Sequence, residues 1–219
     1  MAKQGLVTVK VDVNKAVYAS LDPGVVATCA KAAIGRTKAS AKAEAVRLIT
    51  SVWNISRSNL ERTGNGNERI TVTGTVTDDL KAEITFWAGG ISLFYFGAKE
   101  FRLTAARSKQ QAKRMGKAYT KGTKELLGIR VQVQRGGKVA LLRQFFATVR
   151  AGKSGGTHIG VFRRAPGRYR TGNAKMIESE AVGIATMVRQ PKVMQPLTAF
   201  IADTFDKRMR HELARKGFM

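Results

Sequence analysis

Acidic side chains are the scarcest charged group in this chain: 15 Asp and Glu stand against 39 Lys and Arg, a formal charge of +24 over 219 residues. A carboxylate pair for hydrolysis therefore has few candidates. Glu178 and Glu180 are close in sequence, but that spacing does not make the two groups face each other. Histidine is nearly absent. His158 falls in a strand pattern and His211 in a helix pattern, and neither stands at metal-ligand spacing from Cys29 or from the other. Cys29 has no second cysteine to join, which excludes an internal disulfide. In an Ala-rich helix it reads as a small core residue, and it fits a reducing cytoplasm. The opening Met-Ala-Lys-Gln-Gly lacks an apolar core, so no signal peptide is expected. No window approaches the roughly 18 apolar residues of a membrane span, and no membrane partner is expected.

Catalytic motifs are missing as well. There is no Gly-x-Ser-x-Gly elbow. Gly152-Lys153-Ser154 has the look of a phosphate loop, but Ala147 stands where that motif needs its first glycine. Gly155-Gly156-Thr157 then leads into a strand rather than the helix whose N-terminus would hold phosphate. A hairpin turn explains the same residues. With no convergent acid, base and nucleophile, neither an enzyme nor a cofactor or metal is expected.

What is present is a core. Hydrophobic residues make up 43% of the chain, which excludes a disordered protein. The length suits one domain over 1–219, with a basic arm or extended loop at 98–127. The organising stretch is Gly128–Arg164. Ile129, Val131 and Val133 alternate with Arg130, Gln132 and Gln134, the period of a strand with one wet face. Gly136-Gly137 supplies a tight turn, and the chain returns over Val139–Val149. It turns again at Lys153–Gly156 and runs through His158–Phe162. The pattern predicts a β-meander with an apolar inner face and a basic outer one.

The flanks predict the other elements. Leu6–Val13 alternates as a strand. Asp22-Pro23 marks a helix start with Asp as N-cap and Pro first. Val26, Ala30, Ala33, Thr37, Ala41, Ala45, Leu48 and Val52 recur at helical spacing, a stripe of mostly small residues with Gly35 as a place for a kink. Ser58–Glu61 reads as a capping box for a short second helix, which Gly64–Asn67 would end. Ile70–Thr77 is β-rich, with Gly74 as a candidate bulge. Asp78-Asp79 turns the chain, Leu80–Trp87 returns, and Gly89-Gly90 turns it again. Ile91–Phe96 reads as the most apolar strand. Ala98–Lys124 has no periodic apolar face, although Ala105–Ala118 suits a short polar helix. Ile184–Val188 is a short apolar run. The last helix is placed with Pro196 in its first turn, Leu197, Phe200, Ile201, Phe205, Met209 and Leu213 on one face, and Gly217 at its end. The expected fold is α+β: a twisted antiparallel sheet packed by a long N-terminal helix and a C-terminal helix.

The basic excess favours an anionic partner, or else charge that neighbours neutralise within an assembly. Candidate DNA- or partner-contacting residues are Arg107, Lys109, Lys113, Arg114, Lys117 and Lys121 in the 98–127 stretch. Arg163, Arg164, Arg168 and Arg170 join them, interleaved with Phe162 and Tyr169. No helix-turn-helix, zinc finger or RNA-recognition strand pattern accompanies them, so any nucleic-acid contact is expected at phosphates, independent of sequence.

The order of these motifs resembles a known family. Gly35-Arg36-Thr37 in the first helix leads to Asn54–Leu60, then Leu93–Phe96, Gly128–Lys138, Phe145–Thr148 and Gly160–Arg164. Together, from about Val25 onward, they resemble the minor tail protein Z family of tailed phages, the tail completion proteins. The chain departs from that pattern at Leu142-Arg143-Gln144 and at Val182–Ala185. The resemblance implies a structural virion protein at the head-proximal end of the tail or in the neck, assembled in the host cytoplasm. It implies a homo-oligomeric ring, a hexamer, contacting tail-tube or neck and connector proteins, with non-specific contact to phage DNA. The order helix, meander, C-terminal helix is also similar, as a fold-level analogy, to ring-forming tail terminators, a tail-terminator-like fold.

Overall fold

A computed structural model describes residues 5–12, 18, 20–61, 70–76, 81–88, 91–102, 109–110, 113–114, 126–151, 156–165, 175–179 and 183–218. The architecture is α+β. Where the sequence reads as one domain, the backbone contacts divide into two compact units: Met1–Gly90 together with Val182–Met219, and Ile91–Ala181.

The first unit is built on helix α1, Pro23–Val52. The Asp22 carboxylate accepts the Gly24 N–H at 2.6 Å and the Val25 N–H at 3.4 Å, and Pro23 fills the first position. Two of the helix's unpartnered donors are thereby satisfied. The helix continues unbroken through Gly35. Its buried stripe, Cys29, Ala30, Ala33, Thr37, Ala41 and Ala45 among others, is narrow enough for another backbone to approach. That neighbour is the C-terminal helix, which buries Val193, Leu197, Ile201, Phe205, Met209 and Leu213. Each such side chain contributes roughly 1.5–3 kcal/mol of gross burial. The two helices run antiparallel: Arg36 Nη1 lies 2.8 Å from Glu212, and Arg208 donates to Ser40 Oγ one turn further on at 2.8 Å.

Strands β1 (Gly5–Asp12), β2 (Ile70–Val76) and β3 (Lys81–Ala88) form an antiparallel sheet with β3 central. Its registers run without interruption from Gly5 against Ala88 to Asp12 against Lys81, and from Ile70 against Ala88 to Val76 against Ala82. Gly74 pairs in register with Ile84, so the bulge expected there is absent. Helix α1 packs on β2. A short helix α3, Ile184–Arg189, packs on β1. Val7, Val9 and Ile70 are buried.

Two helix starts differ from expectation. Helix α2 is Arg57–Glu61, but its cap is Ser56, whose Oγ accepts the Asn59 N–H at 3.3 Å. Glu61 pairs instead with Arg57 at 3.0 Å. The C-terminal helix α4 spans Pro191–Arg215 and takes Pro191, not Pro196, into its first turn. Pro196 falls within the helix, where it withholds the N–H that would meet the Lys192 carbonyl. Phe200 is only half-buried, and Gly217 closes the helix with a φ of 82°.

The second unit departs further from the sequence reading. Leu93–Phe96 is a 3-10 helix, not a strand. Ser92 Oγ accepts the Phe94 N–H at 3.4 Å, and Gly97 leaves the turn at a φ of 66°. Side chains three apart align in such a helix, so Leu93 and Phe96 are both buried while Phe94 is exposed. Strands β4 (Lys99–Arg102), β5 (Leu126–Val131) and β6 (Val139–Leu142) form one sheet, with β5 central. Both ends of the 98–127 stretch are therefore strand rather than arm. Strands β7 (Gln144–Ala151), β8 (Gly156–Arg164) and β9 (Met176–Glu178) form another, with β8 central.

The expected single meander is thus split. The break is Arg143, with a left-handed φ of 58°, whose N–H is held by the Leu127 carbonyl at 2.9 Å. The turn at Gly136-Gly137 is as expected: the Gly137 N–H meets the Gln134 carbonyl at 3.2 Å, and Gly136 has a φ of 91°. Gly128 is required for a different reason, since a Cβ there would collide with the Leu141 carbonyl oxygen across the sheet. The predicted apolar-in, basic-out division holds on β5, where Ile129 and Val131 are buried and Arg130 is exposed. It fails on β6, where Val139 is 52% and Leu142 65% exposed.

Candidate anion-binding groove

Antiparallel pairing decides which basic residues of the second unit meet. Gln144 stands opposite Arg163, and Phe145 opposite Phe162. On the other side of β8, Arg163 faces Ile177 and Arg164 faces Met176. Arg143 and Arg164 each lie one residue beyond the last cross-strand pair, Gln144 and Arg163. The Ala165 N–H bonds the Lys175 carbonyl at 2.8 Å and carries the pairing one step past β9. One end of this sheet therefore gathers Arg143, Arg163, Arg164 and Lys175, all exposed.

Leu142, Arg143, Phe145, Arg163, Arg164 and Ala165 line an open groove of about 530 Å³ there. The Arg164 guanidinium lies over the Phe145 ring, 5.5 Å from its centroid. The contact follows from register, since residues on one face and diagonal across a strand pair are within reach of long side chains. Among the described residues no carboxylate pairs with Arg143, Arg163 or Arg164. Some basic residues elsewhere are neutralised locally: Arg47 by Glu44, Arg102 by Glu100, Lys207 by Asp203 and Arg210 by Asp206.

Of the sequence-predicted contact residues, Arg163 and Arg164 line the groove. Lys109, Lys113 and Arg114 are exposed on helical backbone and are not part of its lining. Arg107, Lys117, Lys121, Arg168 and Arg170 lie outside the described residues. Sequence reasoning missed Arg143 and Phe145. The pattern carries no signal for the break, since Leu141 and Phe145, and Leu142 and Phe146, are four apart and stay in phase at period 2.

No group of three His, Cys, Asp or Glu among the described residues could hold a metal ion. Cys29 is buried, and His211 is exposed on α4. No described helix is long and apolar enough to cross a membrane. Comparison with family models, with curated proteins and with solved structures gives no match.

Proposed function

We propose that this chain is a structural virion protein of a tailed phage, without catalysis. It completes or caps the head-proximal end of the tail, or forms part of the neck, as one subunit of a homo-oligomeric ring. The observation that carries the reading is the β6 edge. Strand β6 closes the β4-β5-β6 sheet on one side, and it exposes Val139 and Leu142 there. An edge with unpaired backbone groups and apolar side chains is a template for another strand. In a closed ring that contact is heterologous, one patch meeting a different patch on the next subunit. The order of motifs that resembles the tail completion proteins supplies the biological setting.

The test is Val139→Lys, which places a charge on the edge without entering the groove. Sedimentation velocity should show the wild-type assembly reduced to smaller species. An unchanged assembly would remove the β6 edge from the account. A second reading, sequence-independent nucleic-acid binding, is favoured by the uncompensated arginines of the groove. It predicts steep loss of affinity as salt rises.

A further inference from the structure

The arginine groove gives that second reading a definite site. We infer that Arg143, Arg163 and Arg164 bind the phosphodiester backbone of nucleic acid through its phosphate oxygens, with Phe145 as the residue that positions Arg164. The inference rests on the nucleic-acid reading and not on the ring.

Four observations converge. The cations lining the groove are all arginines, whose planar forks match a phosphate with paired N–H donors in a way a lysine does not. Among the described residues no carboxylate occupies those forks, so a ligand need not displace one. The Phe145 ring, whose centroid lies 5.5 Å from the Arg164 guanidinium carbon, holds that group by a cation–π contact that uses no hydrogen-bond acceptor. Arg143 holds a left-handed backbone at φ 58°, the only described residue other than glycine with a positive φ. Such a conformation costs about 1 kcal/mol in a side-chain-bearing residue. Glycine would avoid that cost, and the arginine there adds a third cationic residue to the groove's lining. The groove is open and its remaining walls are Leu142 and Ala165, with no donor or acceptor side chain to read a base. Recognition therefore stops at the backbone.

The experiment is fluorescence anisotropy on the full chain with labelled random-sequence duplex DNA, repeated with duplex RNA, across a salt series. The variants are Arg143→Gly, chosen because glycine accepts the left-handed backbone, and the double variant R163A/R164A. Lys31→Ala, on the exposed face of α1, is the charge-matched control. The expected result is binding whose log-log salt slope falls by about 0.9 for each phosphate contact removed from the DNA complex. Arg143→Gly should show that fall and melt close to wild type, the double variant should show roughly twice the fall, and Lys31→Ala should leave the slope unchanged. Failure of the wild type to bind any duplex at low salt would overturn the nucleic-acid reading itself. Wild-type binding with equal slopes for Lys31→Ala and both groove variants would overturn only the groove assignment. Displacement of the probe by poly-glutamate at lower concentration than by unlabelled duplex would assign the groove to an acidic protein instead. The DNA and RNA arms identify which backbone the site prefers.

Discussion

A few single residues set conditions that the rest of the chain must meet. Glu212 is 2% exposed and would be a costly buried charge alone. Arg36 and Arg215 stand 2.8 Å and 2.9 Å from its two oxygens. The Arg36 contact is an ion pair without the angle of a directed hydrogen bond. Both guanidiniums stay more than half exposed, and the Arg36 pair ties α4 to α1 at a defined register. Tyr18 does comparable work near the same helix. It is 5% exposed, and its phenol is raised above its ordinary value of 10.0, first by burial and then by the Asp206 carboxylate. A raised folded value favours the neutral phenol in the native state. That contribution is complete below the unfolded value near 10 and is lost as pH rises through the folded one. Tyr18→Phe should therefore lower the alkaline decline of stability in urea titrations at rising pH. An identical decline in both proteins would show that Tyr18 is not its source.

At the level of elements, legibility followed the number of independent local signals. Helix α1 was readable to the residue because Asp22, Pro23 and the apolar spacing agree. Strands β1, β2 and β3 were readable because alternation and turn residues agree. Leu93–Phe96 was misread because composition alone suggested a strand, while the deciding signals, the Ser92 cap and the Gly97 stop, lie just outside the run. The split of the meander at Arg143 was hidden because a left-handed backbone at an arginine leaves no mark in the hydrophobic pattern. Half of the groove was legible as a basic cluster in Arg163 and Arg164. The other half depends on cross-strand register, which one strand's sequence does not contain. The α1–α4 seam makes a sharp prediction at this scale. Ala41 is 0% exposed within the small-residue stripe, so Ala41→Leu overpacks the seam and should cost about 1–3 kcal/mol, read from the midpoint of thermal or urea unfolding. An unchanged midpoint would mean that the seam has room the packing does not suggest.

For the whole molecule, the charge and the edge belong together. A formal charge of +24 disfavours self-association unless something compensates it. The described ion pairs neutralise only some of the cations, and the groove arginines are not among those neutralised. A ring reconciles these facts. In the proposed ring, edge-to-edge contact through β6 would join the subunits, and the remaining positive surface would face an anionic neighbour. The described residues offer a cationic groove and an apolar edge. Ring closure is decided by native mass measurement of the purified wild-type assembly. A closed ring gives one dominant species at a single integer multiple of the 23.9 kDa chain, a hexamer, unchanged as concentration rises. A monomer at every concentration, or a ladder of multiples without a limit, would contradict it.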